Sequence, residues 1–277
     1  MNRVPSLTPL VLIFCFPAAP ACADGPPLDA PRPIEALDTV FMEEMTWMEV
    51  RDAIAAGKTT AIVATGGVEQ NGPYLATGKH NFILRPTTQA IARRLGNALV
   101  APIVPFVPEG DIDPPSGHMC YPGTISVSEA TFETLLTDIC ASLRIHGFKN
   151  VVLLGDSGGN QQGMQRVAGL LDARWSKSGP RVHYVPEYYN YAEVAAWLEK
   201  EGIHQRAEGL HDDFAVTAQL MTVDSGLVRM KERGAAGKFS INGIELAPAS
   251  KTIEWGKRII DFRANATVRA IERAIGS

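Results

Sequence analysis

The chain has 277 residues, of which 45% are hydrophobic and 20% are charged, and its formal net charge is −4. These values are typical of a folded globular protein with one large domain or two small ones. A slight negative charge, 7% aromatic residues and the lack of a basic run exclude the usual nucleic-acid-binding surface and an anionic membrane surface.

The N-terminal segment, residues 1–23, has the pattern of a secretory signal peptide. Arg3 supplies a positive charge, "LTPLVLIFCF" forms an apolar core, and Ala21-Cys22-Ala23 resembles an A-x-A cleavage site. The apolar run is too short to span a bilayer comfortably. We therefore predict cleavage before Asp24 and export to the periplasm or the medium, with no lasting membrane attachment.

Strand and helix patterns alternate along the rest of the chain. Residues 24–40 are predicted to be an extended leader, and residues 41–277 a single domain. Helical spacing occurs at 47–57, 85–97, 128–147, 160–179, 191–202, 211–223 and 251–275, and short apolar strands at 59–65, 98–108, 150–155 and 181–188. This alternation predicts a three-layer α/β/α fold with a mostly parallel central sheet.

Three polar, glycine-rich loops cover residues 66–81, 109–126 and 155–160. Because sites in such sheets lie beyond the carboxyl ends of the strands, we expect these loops to share one edge. The mature chain keeps two cysteines, Cys120 and Cys140, which could pair in an oxidising compartment. Cys140 lies in a helical pattern and is predicted to be a buried apolar residue.

The string "GDSGG" around Ser157 matches G-x-S-x-G, the nucleophile elbow of serine hydrolases. It follows an apolar strand and precedes a helix, as that motif requires, whereas trypsin-like proteases are β-barrels with a different order of catalytic residues. A serine hydrolase could use Ser157 with His211 and either Glu187 or Glu208. A glycine-rich turn of this kind also forms without any catalytic role.

Four segments together resemble the creatininase family. They are "ATGGVEQNGPYLATGKHN", "SGHMCYPGTISVS", "HGFKNVVLLGDSGGN" and "GLHDDFAVTAQLM", in the order and spacing of that family. The resemblance covers the chain from about Thr46 to the C-terminal helix. It implies an α/β/α amidohydrolase, assembled as a homo-oligomer and often a hexamer, that uses one or two divalent ions, typically zinc, manganese or iron, to activate water.

The differences from the family fall on its metal ligands. The corresponding positions in this chain are Glu69, Asn71, His80, Ser157 and Val216, and of these only Glu69 is unchanged. An aspartate can bridge two ions with two oxygens, whereas His80 offers one nitrogen at a time. The resemblance therefore predicts that the two-metal centre is replaced by a different site.

We predict that Glu69, His80 and a third residue, Asp156 or one from the 211–213 loop, hold one ion in a rebuilt site. The resemblance implies that His211 protonates the departing nitrogen. The predicted substrate is a small amide or lactam, cleaved at a carbon–nitrogen bond other than a peptide bond. Two alternatives stay open, a serine hydrolase based on Ser157 and a binding protein without catalysis. The predicted substrate-contacting residues are His118, Asn71, Asn160 and Asp213.

Overall fold

The structure is a computed structural model that describes residues 25–175, 177 and 179–276. The predicted signal peptide lies outside the described residues. The chain divides into two units, Met1–Glu35 and Ala36–Ser277. In the first, residues 25–35 are exposed turns and irregular chain, and the second contains every helix and strand below. Within the described residues, no helix combines the length and apolar character that crossing a membrane requires.

A parallel sheet forms the centre of the second unit. Its strands are β1 (Thr60–Thr65), β2 (Ala98–Val100), β3 (Asn150–Gly155) and β4 (Arg181–Tyr184), in the order β2-β1-β3-β4. In each of its three ladders the neighbouring strands run parallel. Helices connect the strands and cover both faces, which is the predicted three-layer α/β/α architecture.

Alternate residues of the strands face two different groups of helices. Ile62 and Val152 pack in a core cluster with residues of α2 (Lys79–Leu95) and α8 (Ala249–Gly276). Their neighbours Val63 and Val151 pack with α3 (Glu129–Ile145) and α4 (Gln161–Trp175). This two-residue period makes both faces apolar, so each strand reads as a continuous hydrophobic run.

The described residues contain four further α-helices. They are α1 (Trp47–Ala55), α5 (Tyr191–Lys200), α6 (Phe214–Val223) and α7 (Met230–Ala235). Thr46 begins α1 with a reciprocal capping box to Glu49, and the Asp213 side chain caps α6. Cys140 is fully buried on α3 as predicted, whereas Cys120 is exposed, and both are free thiols.

The sequence analysis placed the start of α2 too late, at Arg85. A start at Arg85 would place Pro86 in the first turn of the helix, where proline is well tolerated. The helix instead begins at Lys79 and contains Pro86, because His80, Ile83 and other residues before the proline are buried against the domain. The predicted loop 66–81 therefore ends on a helical first turn.

Two other differences concern β2 and the region after α6. Strand β2 ends at Val100, since the prolines that follow it cannot donate a ladder hydrogen bond. The sequence analysis predicted no element between 224 and 248, where the structure has α7 and a hairpin of β5 (Ser240–Ile241) and β6 (Ile244–Glu245). The Asn242-Gly243 turn, with both residues at positive φ, was the available signal.

The contact between α6 and α8 depends on Gly256. A Cβ atom at this position would lie 2.0 Å from the Ala218 carbonyl oxygen. We therefore expect Gly256→Ala to separate the helices and to lower the free energy of unfolding by about 1–3 kcal/mol. Gly169 is an exposed helical glycine, and a Cβ atom added to it would have nothing within 4 Å. Gly169→Ala should therefore raise the free energy of unfolding by about 0.5–1 kcal/mol. Urea denaturation of both variants measures the two shifts, and equal shifts would contradict this packing.

Candidate functional site

A fully buried ion pair lies beneath the carboxyl edge of the sheet. Asp156, immediately after β3, receives Arg263 Nη2 of α8 on its Oδ1 atom at 2.5 Å. The guanidinium also donates to Gln219 Oε1 at 3.1 Å and to the Tyr188 carbonyl at 3.1 Å. Burial by itself would raise the pKa of Asp156, but Arg263 and His80 hold it below its usual value. Asp156 is therefore an ionised carboxylate in the interior.

His80 connects this ion pair to the cavity. Its Nδ1 lies 2.9 Å from Asp156 Oδ2, and its Nε2 lies 2.9 Å from Glu69 Oε1. Tyr191 donates to the same Asp156 oxygen at 3.1 Å. Burial alone would lower the pKa of His80, but the two carboxylates raise it above the ordinary value. The imidazolium that donates to both carboxylates is therefore favoured.

Glu69 is the residue on which the nitrogen atoms of the histidine and lysine side chains of the site converge. Its Oε1 atom lies 3.0 Å from His211 Nε2 and 3.2 Å from Lys79 Nζ, and its Oε2 atom lies 3.2 Å from His118 Nε2. Burial opposes ionisation of this carboxyl. Hydrogen bonds from His211 and His80, together with nearby positive charge, still hold its pKa well below the usual value. Glu69 is thus a carboxylate although it is 2% exposed.

The loop after β1 keeps Glu69 in place through backbone hydrogen bonds. The Glu69 amide donates to the Thr77 carbonyl at 3.0 Å, and the Ile125 amide donates to the Val68 carbonyl at 2.9 Å. The Asn71 amide group donates to the carbonyls of Glu69, at 2.9 Å, and Ala76, at 3.1 Å. Asn71 therefore stabilises the loop.

The β5–β6 hairpin supports the loop that carries His211. The Arg206 amide donates to the Asn242 carbonyl at 2.8 Å, and the Glu208 amide donates to Asn242 Oδ1 at 3.0 Å. Asn242 Nδ2 in turn donates to the Asp212 carbonyl at 3.4 Å. A left-handed turn residue of the hairpin thus fixes both sides of His211.

These groups surround a cavity of about 530 Å³. Its polar lining also includes Glu109 and Ser157, whose hydroxyl donates to Glu109 Oε2 at 3.5 Å. Burial and then the negative charge of Glu69 raise the pKa of Glu109 to about 9, which favours a neutral carboxyl. The other charged or histidine side chains of the lining are Glu69, Lys79, His80, His118, Asp156, His211, Asp212 and Asp213.

The predicted metal ligands Glu69, His80 and Asp156 form a chain of hydrogen bonds with His80 in the middle, so their ligand atoms face one another and do not surround a common point. Both His80 nitrogens face carboxylates, and both Asp156 oxygens are occupied by Arg263, His80 and Tyr191. Within the described part of the chain, the metal-competent group that converges is Glu69, His118 and His211, with ligand atoms within 4.8 Å of one another. This group contains Glu69 and a residue of the 211–213 loop, which the prediction allowed as third ligand, and it has His118 where the prediction had His80.

Of the residues predicted to contact substrate, His118 and Asp213 line the cavity, whereas Asn71 and Asn160 are absent from its described lining. Asn160 is fully buried and donates to the Thr65 and Gly66 carbonyls, at 3.1 and 2.9 Å, so it joins β1 to the turn after β3. Asn71 and Asn160 thus have their amide donors committed to the backbone.

A serine-hydrolase triad is not assembled in the described residues. Ser157 donates to Glu109, and His211 pairs with Glu69. The two candidate acids are bound elsewhere, because Glu187 accepts from Arg273 at 3.4 Å and Glu208 accepts from the Gly243 amide at 3.1 Å.

Three participants of the site were missed in the sequence. Lys79 directly precedes His80, but α2 was predicted to begin later, so its position on a buried first turn was not visible. Glu109 stands at the start of a recognised loop beside Gly110. Arg263 lies in the long C-terminal helix, where a buried arginine cannot be distinguished from a solvated one by spacing alone.

Comparisons with known proteins agree with this arrangement. The family model described as creatininase, creatinine amidohydrolase, matches residues 43–271. The chain belongs to the creatininase family. Its members are amidohydrolases that act on carbon–nitrogen bonds, and the chain is a hydrolase of this family.

Two curated relatives have different activities. Creatinine amidohydrolase of Pseudomonas putida is 29% identical over 116 residues, which is 42% of this chain and 44% of that protein. The mycofactocin precursor peptide peptidase of Mycolicibacterium smegmatis is 24% identical over 220 residues, which is 76% of this chain and 84% of that protein. The match thus spans less than half of the first relative and most of the second.

The fold is that of solved creatininases. The crystal structure of a creatinine amidohydrolase matches this chain with a TM-score of 0.64 at 21% sequence identity. The match covers 86% of this chain and 98% of that chain. A structure of creatininase with Mn has a TM-score of 0.63 at 21% identity, with 85% of this chain and 98% of that chain covered. These similarities confirm the predicted creatininase-like fold.

The buried pair of Asp156 and Arg263 yields a stability prediction. Arg263→Met leaves Asp156 charged and without its guanidinium partner, so the free energy of unfolding should fall by about 3–5 kcal/mol. The exposed pair of Arg94 and Asp261, with Nη2 and Oδ1 2.6 Å apart, also involves α8. Arg94→Met should cost about 0–1 kcal/mol because solvent screens that pair. Chemical denaturation of both variants measures this difference, and similar losses would contradict the assigned role.

Proposed function

We propose that this protein hydrolyses a carbon–nitrogen bond in a small amide or lactam with the help of one divalent ion. The observation that carries the proposal is the convergence of Glu69, His118 and His211 on one point of the cavity. The family membership supports the reaction class, and the cavity volume of about 530 Å³ suits a small molecule.

The donor set fits a divalent transition-metal ion. Two imidazole nitrogens and one carboxylate oxygen are a common ligand set for catalytic zinc, which leaves a coordination position for water. His118 and His211 are partly exposed to the cavity, while Glu69 is buried. Related creatininases have been solved in a Zn-Zn type and an Mn form, which supports zinc or manganese here.

In the proposed reaction, an ion at these residues would activate a water molecule to attack the amide carbon. Glu69 is oriented for this by His80, which Asp156 fixes from the other side. The nitrogen of His211 that faces Glu69 is needed as a ligand atom and carries no proton in that state. We therefore propose His211 as a ligand in place of the proton donor that the resemblance implied.

Another part of the cavity wall supplies groups that would hold the substrate. Glu109 and Ser157 form a connected polar pair, and Asp213 and Tyr189 also line the cavity. A carboxyl in its neutral form, as burial favours for Glu109, donates one hydrogen bond and accepts others. This wall could bind both the carbonyl oxygen and the N–H group of an amide.

A peptide end is the second candidate substrate. It is favoured by the relative that acts as a precursor peptide peptidase, because that similarity covers 76% of this chain. A panel that contains lactams, linear amides and short peptides, assayed with added zinc or manganese, distinguishes the two. Turnover of lactams or simple amides supports the proposal, and turnover of peptides alone would replace it.

Metal content tests the ligand set directly. Wild-type protein purified without chelators or a histidine tag should contain about one zinc or manganese ion per chain. His118→Ala and His211→Ala should lose most of that ion, because each removes a ligand. His204 is an exposed histidine paired with Glu199, so His204→Ala is the matched control and should keep it. Elemental analysis gives the result, and full metal content in both cavity variants would refute the site.

Ser157→Ala tests the serine-hydrolase alternative. We expect turnover to stay within roughly tenfold of wild type, since the change removes one hydrogen bond to Glu109. Loss of a catalytic nucleophile would instead cost on the order of a millionfold. Steady-state kinetics on whichever amide the panel identifies separates these outcomes, and a serine-directed phosphonate should leave the wild-type enzyme unlabelled.

Export and assembly are proposed from the sequence and its resemblance. N-terminal sequencing of the mature protein should begin at Asp24. Light scattering should show a homo-oligomer, with a hexamer as the expected size. Neither proposal depends on the chemistry of the cavity.

A further inference from the structure

The cavity contains a lysine ammonium group next to the proposed metal ligand. Lys79 is 4% exposed, and its Nζ atom lies 3.2 Å from Glu69 Oε1. Among the described residues of the cavity lining, it is the one lysine or arginine. Lysine is rarely buried without a paired charge, because removal of its ammonium group from water is costly. The ammonium is therefore held by the negative charge of the cavity.

The position of Lys79 follows from the start of α2. The helix begins at Lys79, and His80 follows it on the same first turn. The Lys79 amide donates to the Ala76 carbonyl at 3.2 Å, and Ala76 accepts from Asn71 as well. The loop that fixes Glu69 thus also fixes the backbone of the lysine.

Several carboxyl groups share the cavity with Lys79. Besides Glu69, the lining includes Glu109, Asp212 and Asp213. Lys79 therefore lies where the fields of several acidic groups overlap.

We propose that Lys79 is a built-in cation of the reaction centre, which weakens binding of the divalent ion while it promotes turnover. This inference rests on the proposed metal-dependent function. A fixed positive charge beside Glu69 repels an ion that Glu69 binds, because like charges in a poorly solvated site interact strongly. The same charge stabilises the negative charge that develops on the substrate carbonyl oxygen during attack.

Removal of the charge should strengthen metal binding and slow turnover. A purely structural role would instead weaken both, so the two measurements together distinguish the roles. Lys79→Met keeps an unbranched side chain that is one heavy atom shorter and removes the charge. We expect the dissociation constant for zinc to fall at least about tenfold, since the repulsion is gone. We expect kcat to fall by about 10²–10³-fold with KM little changed, because charge stabilisation is lost mainly in the transition state.

The experiment starts from metal-free protein and measures zinc affinity by competition with a chromophoric chelator. Lys79→Arg should keep wild-type zinc affinity and recover part of kcat, since it restores the charge. Lys257, which is exposed on α8, provides the matched control Lys257→Met, with both constants unchanged. If Lys79→Met does not fold, Lys79→Gln is measured in the same way.

The outcomes test the role of Lys79 and the metal-dependent function separately. Tighter zinc binding with slower turnover supports the role of Lys79. If the wild type binds zinc and Lys79→Met, or Lys79→Gln in its place, binds zinc with unchanged or weaker affinity, this inference is overturned and the metal-dependent function stays intact. Absence of zinc and manganese binding by wild type overturns the proposed function itself, and the role of Lys79 with it.

Discussion

The buried contact between Arg263 and Asp156 is the constraint on which the rest of the site depends. Two charges with no solvent exposure persist in a protein interior when they pair and when their remaining hydrogen-bonding groups find partners. Arg263 meets this condition with Gln219 and Tyr188, so α8, α6 and the segment after β4 are tied to one point. The second Asp156 oxygen then receives His80, and His80 orients Glu69. The long C-terminal helix thus sets the geometry of a carboxylate almost 200 residues earlier in the chain.

This arrangement is compatible with the proposed metal site on the family fold. His80 and Asp156 form a charged relay that fixes Glu69, with both nitrogens and both oxygens in use. The other two proposed ligands, His118 and His211, line the cavity, and their imidazole rings lie 4.6 Å apart, centroid to centroid. A rigid inner layer that orients the ligands is the usual requirement of a metal site.

Much of the fold could be predicted because the apolar strands and amphipathic helices repeat their local signals. The alternation of strands and helices along the chain correctly predicted the parallel sheet, and the three glycine-rich loops do meet at one edge. The errors arose where local chemistry allowed two outcomes: Pro86 is tolerated inside α2, and the short hairpin around Asn242 has strands of two residues. The relay was beyond prediction because Arg263 is 107 positions from Asp156, and a helical pattern does not show which polar residue turns inward.

The composition of the cavity argues that the site is still under chemical constraint. Burial of lysine, glutamate and aspartate side chains is costly to a fold, and apolar residues of similar size would often be more stable. This cavity nevertheless retains Lys79, Glu69, Glu109 and Asp156 in one lining. Gly67 even leaves room for the Glu109 carboxyl, since a Cβ atom there would lie 2.0 Å from Glu109 Oε1. A protein that kept the fold only for its stability would gain from replacing such groups, so their joint presence supports a catalytic cavity over an eroded one.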